Sequence, residues 1–154
     1  MAFWDNANWV NTNPQAQRKI MDLWKLTAKS FNAPNLILID VNNMNPECSD
    51  EEIKFYTFKS LTEAIKANEE KNFVFLEVFH KIPPEYNPVS LKEFIHPPED
   101  VFYVAGSDFG DIPFAELGKQ KSNFHFVYID TKNTIPLWSH TALAVALYDR
   151  LIKT

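Results

Sequence analysis

The residues best equipped for chemistry gather around one turn. In VFYVAGSDFGDIP, Val101 to Pro113, an apolar stretch runs into a turn holding Gly106 and Gly110, and the chain's third and last glycine, Gly118, follows closely. Backbone without a Cβ lets a ligand approach, so Ala105 to Asp108 is read either as a ligand cradle or as a plain tight connection between strand and helix. Glu77 lies inside the apolar run NFVFLEVF. A carboxylate near the end of a buried strand is costly unless it is paired or touches a ligand, and both readings stay open. His140, where the last helix begins, carries an imidazole that titrates near neutral pH; it could order a binding loop or take a proton, or simply cap and pack. His80 is a weaker candidate of the same kind, while His96 beside Pro97 and His125 within a strand read as structural. Four histidines and one cysteine are too scattered for a zinc site, so no metal is predicted. Arg18, Lys19, Lys25 and Lys29 form either a solvated helix face or the one cationic stripe able to meet phosphate. No phosphate-loop, dinucleotide or nucleophile-elbow motif occurs.

The elements that must hold these residues alternate. From Pro14 to Phe31 the apolar positions Ile20, Leu23, Trp24, Thr27, Ala28 and Phe31 recur at threes and fours, which predicts a helix with Pro14 in its first turn. NLILIDV (35–41) reads as a strand buried on both faces, with Asp40 and Asn42 at its carboxyl end. IKFYTF (53–58) reads as a second strand. Ser60 and Glu63 form a capping box ahead of a helix over 61–70. The run 72–79 is a third strand, and a second box at Ser90 and Glu93 predicts a short helix closed by Pro97 and Pro98. The strand of the glycine turn follows, then a short helix around 114–117, a fifth strand over 123–129 and a helix from Thr141 to Ile152. That helix is apolar on nearly every side between Ala142 and Leu147, which predicts that protein surrounds it. Residues 1–13, with Trp4 and Trp9, are expected to be an arm that packs somewhere. Strand and helix in alternation predict an α/β fold, an open, mainly parallel sheet with helices on both faces.

The bulk properties narrow the classes. With 154 residues, 45% of them hydrophobic and 14% aromatic, the chain can bury one good core, so a single domain over 1–154 is expected. The lone Cys48 excludes an intrachain disulfide, and no apolar run approaches a membrane span, so a cytoplasmic protein is expected. A formal net charge of −5 gives no global pull on phosphates, and any nucleic-acid contact must be local.

Three segments, in order, resemble the SPOUT class of knotted RNA methyltransferases. KLTAKSFNAPNLILI (25–39) is similar to that family's first motif, FYVAGSDFGDIP (102–113) to its second, and IPLWSHTALAVALYDRLI (135–152) to its third. FLEVF before the prolines, and Ser-His leading into an alanine-rich helix ending in Tyr-Asp-Arg, look most like the archaeal enzymes that methylate a tRNA cytidine ribose. The resemblance implies a C-terminal trefoil knot, bound S-adenosyl-L-methionine, a homodimer with the site near its interface, and RNA, with tRNA foremost, as substrate. It implies cofactor contacts at Leu76, Glu77, Val78 and Phe79, at Ala105, Gly106 and Ser107, and at Ile129 with Pro136, Leu137, Trp138, Ser139 and His140. Methyl transfer is a displacement on an activated methyl, so positioning and deprotonating the acceptor is the protein's task. The chain departs from the family where a first-motif arginine is usual: Leu26 or Lys25 stands there, and Arg18 or Lys19, two turns earlier, is the expected substitute. Leu137, Trp138 and Ser139 stand where many members carry Ser-Leu-Asn. Arg18, Lys19 and His140 are therefore the catalytic candidates, and a non-catalytic relative of the fold is the alternative.

Overall fold

A computed structural model describes residues 2–5, 13–107, 110–133 and 135–154. Among the described residues seven strands form one sheet in which every pairing is parallel: β1 (Ala2–Asp5), β2 (Asn35–Ile39), β3 (Lys54–Phe58), β4 (Asn72–Leu76), β5 (Val89–Ser90), β6 (Val101–Ala105) and β7 (Phe124–Tyr128), in the order β3-β2-β1-β6-β4-β7-β5. Helices α1 (Pro14–Ser30), α2 (Leu61–Lys66) and α3 (Ser139–Lys153) cover both faces.

The alternation of side chains along each strand builds two cores. Val74, Leu76, Val101 and Tyr103 join Trp24 of α1 and Leu143 of α3 on one face. Phe73, Phe75, Phe102 and Val104 join Leu61 and Ile65 of α2, with Phe114 and Leu117 of a 3-10 turn, on the other. Phe73 is fully buried and stacks on Phe102 with ring centroids 5.4 Å apart. Burying each such ring contributes about 1.5–3 kcal/mol, which is why runs apolar on both faces become central strands here.

Local signals set the helix ends. Asn13 Oδ1 accepts the Ala16 N–H at 2.9 Å and Pro14 opens α1; Asn32 closes it in the left-handed region at φ 50°. Ser60 Oγ accepts the Glu63 N–H at 3.1 Å, while the Glu63 carboxylate accepts the Lys59 N–H at 3.0 Å.

Several expectations need correction. The amino-terminal residues are not merely an arm: β1 lies inside the sheet, pairing with β2 and β6, whereas Trp9 lies outside the described residues. The box at Ser90 and Glu93 makes no helix. Ser90 ends β5 and its hydroxyl donates to Asp130, so only one turn follows, with the Phe94 N–H on the Ser90 carbonyl at 2.9 Å. β4 stops at Leu76 because Phe79 already starts a 3-10 turn, and α2 stops at Lys66 rather than 70. Within this chain α3 is not surrounded. Leu143, Ala146 and Leu147 are buried, yet Tyr148, Leu151 and Ile152 are 56%, 63% and 62% exposed.

Candidate functional site

The carboxyl ends of β4, β6 and β7 splay around a cavity of about 570 Å³. This is where an open parallel sheet leaves strand ends uncovered, and the volume suits a ligand of nucleoside size or larger. β4 supplies Leu76, and the segment after it supplies Glu77, Val78 and Phe79. β6 supplies Ala105, and its turn supplies Gly106 and Ser107. Beyond β7 come Ile129, Leu137 and Ser139. Apart from Trp138 and His140, the sequence-based candidates for ligand contact thus converge from three separate stretches.

Local chemistry explains the shape. A Cβ on Gly106 would stand 3.2 Å from the Gly110 carbonyl oxygen and 3.2 Å from the Ile112 nitrogen, so any side chain there pushes on a turn that folds back on itself. Glu77 ties that turn down. Its carboxylate accepts the Val78 N–H at 2.8 Å and the Ile112 N–H at 3.2 Å, linking the end of β4 to the segment after β6. The structural reading of Glu77 is realised by these partners, and the residue also lines the cavity. The Ser139 hydroxyl donates to the Gly106 carbonyl, joining the start of α3 to the same turn.

Four sequence candidates, His140, Trp138, Arg18 and Lys19, lie elsewhere. His140 does not line the cavity; its Nε2 meets the Thr27 hydroxyl and its ring stands edge-on to Trp24 at 5.4 Å, so it fastens α3 to α1. Trp138, 57% exposed, precedes α3 and is not part of the wall. The cationic stripe is also divided. Lys25 bonds Asp22 at 2.8 Å and Lys29 bonds Asp50 at 2.8 Å, each partner holding its ammonium above the ordinary range. Arg18 and Lys19 are exposed on α1 and are not brought to the cavity.

Sequence reasoning overlooked other wall residues. Asp130, Tyr128, Asn133 and Lys81 all face the cavity. Tyr128 packs against Phe79 with centroids 4.8 Å apart, Asp130 accepts from Ser90, and Lys81 pairs with Asp111, which raises its pKa against the opposing effect of burial. Only the position of Tyr128 and Asp130 at a strand's carboxyl end could have signalled them. The wall thus mixes apolar side chains with carboxylates, hydroxyls and the imidazole of His80, the weaker histidine candidate, and its one lysine among the described residues is already paired. Among the described residues no group of three or more His, Cys, Asp or Glu could hold a metal, and no helix is long and apolar enough to cross a membrane.

No protein-family model matches this sequence, and no curated protein sequence matches it. Solved structures do match. The TrmH/SpoU tRNA modifying enzyme of A. aeolicus superposes with a TM-score of 0.70 at 12% identity, over 99% of this chain and 74% of that one. The SpoU methyltransferase AviRb from Streptomyces viridochromogenes, in complex with the cofactor AdoMet, gives 0.67 at 12% identity, over 99% and 56%. An RNA 2'-O ribose methyltransferase gives 0.65 at 12% identity, again over 99% and 56%, so this chain spans little more than half the length of the latter two. Identity this low speaks for the fold alone, and the fold of this chain is the one shared by the SpoU and TrmH RNA methyltransferase structures.

Proposed function

We propose that the chain is an S-adenosyl-L-methionine-dependent RNA methyltransferase acting on a ribose 2'-hydroxyl, with tRNA as the substrate class, working as a single cytoplasmic domain in a homodimer. The observation that carries this reading is the cavity at the ends of β4, β6 and β7, lined from the three stretches that the resemblance marks as cofactor loops. Its residues fit the cofactor. Leu76, Val78, Ile129 and Leu137 offer apolar walls to an adenine ring, and the carboxylates of Glu77 and Asp130 suit a sulfonium cation better than an anion. When bound, the cofactor supplies an activated methyl group. The chain's own part is to hold the Gly106 turn through Glu77 and Ser139, to keep water out, and to bring an acceptor hydroxyl to the cavity mouth. The trefoil passage of 135–152 belongs to the same reading.

A specific observation favours the second reading, a cofactor-binding relative without catalysis. Leu26 is 63% exposed where a family arginine is usual, and Lys25, Lys29 and Lys81 are each paired with an acid. Labelled methyl transfer from S-adenosyl-L-methionine into bulk tRNA, followed by nucleoside analysis, decides between them. Label in a 2'-O-methylated nucleoside is expected. Binding of the cofactor with no label transferred would establish the second reading instead.

A further inference from the structure

A second, smaller cavity of about 140 Å³ opens on the other side of the Gly106 turn. Ile39, which ends β2, and Val41, in the turn after it, line it together with Leu61, Val104, Ile112 and Pro113 as apolar walls. Lys59 and Glu116 are exposed and lie at its edge, one donor and one acceptor. Ala105 and Gly106 line both cavities, so only the thickness of that backbone separates a group in one from a group in the other.

We infer that this slot takes a single unstacked nucleobase of the RNA. The inference rests on the methyltransferase reading above and identifies where that site would hold its acceptor strand. The walls match a flat apolar ring, and the two opposite charges at the edge match a ring whose rim carries both hydrogen-bond acceptors and amino donors. Room for one ring system and little more excludes a second whole cofactor, which the larger cavity accommodates. Proteins that act on nucleic acid take a base out of the stack and hold it between aromatic or apolar side chains, and this slot offers the apolar kind. Neighbourhood to the larger cavity then places the ribose of the seated nucleotide, or of the next one, at the shared wall.

Val41 is 47% exposed at the mouth, so Val41→Trp fills the slot without disturbing the core. The test photocrosslinks single-stranded RNA carrying thiouridine or thioguanosine to the full chain and maps the attached peptides. Crosslinks are expected on the peptides holding Val41 and Pro113, reduced about 10-fold or more in Val41→Trp. Calorimetric affinity for S-adenosyl-L-methionine should stay at the wild-type level in that variant. Crosslinks confined to other surfaces, or undiminished in Val41→Trp, overturn the slot. Methyl transfer measured alongside keeps the two claims apart. Slot crosslinks without transfer remove the catalytic reading only, and wild-type transfer by Val41→Trp removes the slot only.

Discussion

At Gly106 the steric argument and the functional one meet in a single missing atom. Substituting valine there would press a side chain against the backbone of residues 110–112, which must move and carry the Ile112 N–H off Glu77. Overpacking of this kind costs about 1–3 kcal/mol, tolerable for the sheet but not for a wall built from that backbone. Gly106→Val is therefore expected to keep a native far-UV spectrum and to lose S-adenosyl-L-methionine affinity by about 10-fold or more, measured by calorimetry. Native affinity would show that the cofactor does not use this turn. The glycine was legible in the sequence as the start of a turn. That its constraint comes from the chain folding back was not, because Gly110 and Ile112 constrain it through space.

The segment between β5 and β6 is locked to α3 by a buried relay. The His96 side chain is 0% exposed; its Nδ1 lies 2.6 Å from the Tyr103 hydroxyl and its Nε2 2.8 Å from the Asp149 carboxylate. Since a carboxylate only accepts, Nε2 carries the proton and Nδ1 accepts from Tyr103, whose oxygen in turn accepts from Arg150 at 3.2 Å. Lys153 holds Asp149 at 2.8 Å and also donates to the Leu91 carbonyl at 2.6 Å. Burial lowers the His96 pKa, against the opposing pull of Asp149, and burial also lowers that of His125. For Asp149 burial pushes up, but the bonds from Lys153 and His96 outweigh it and the net shift is down. The unfolded chain consequently binds more protons than the folded one once pH drops below about 6.5, so the stability held above that value is lost as pH falls. Asp149 adds a second loss below about 3.9, as pH falls through its lowered folded value. Denaturant midpoints taken between pH 8 and pH 5 should decline in the wild type. His96→Gln is expected to cost about 1–3 kcal/mol at pH 8 and to show a shallower decline, with His125 accounting for the remainder. An equal slope in both proteins would show that His96 does not titrate in this window.

Elements were legible where their own residues settle the matter. The threefold and fourfold spacing from Ile20 to Phe31 gives α1, and runs such as NLILI and NFVFL give buried strands. Elements whose identity comes from neighbours were not legible. β1 has four residues and exists because β2 and β6 flank it, while β5 has two and turns the hydroxyl of Ser90 from a helix cap into a partner of Asp130. The same holds for His140, whose sequence position suits a binding loop but whose ring is claimed by Thr27 and Trp24, residues more than a hundred positions away.

Across the whole molecule, six of the fourteen large apolar side chains exposed among the described residues belong to two helices. Helices α1 and α3 both pack on the sheet face that carries Tyr103 and Val74. From them Leu23 and Leu26, and Val145, Tyr148, Leu151 and Ile152, remain between 37% and 63% exposed. The sequence expectation that α3 is covered all round fails within one chain and would be met by a second copy on that face. A cluster of large apolar side chains on a chain of net charge −5 is more readily covered by an apolar partner surface than by phosphate. Light scattering at micromolar concentration should then give twice the mass of the chain. Tyr148→Glu with Ile152→Glu places two carboxylates on the face without touching Leu143, Ala146 or Leu147, so the double variant should fold and run as a monomer. Its methyl transfer should fall with dimerisation, since the site implied by the resemblance lies near the interface. A wild-type chain that scatters as a monomer would leave the exposed face of α3 to some other partner, and a double variant that stays dimeric would move the interface off this face altogether.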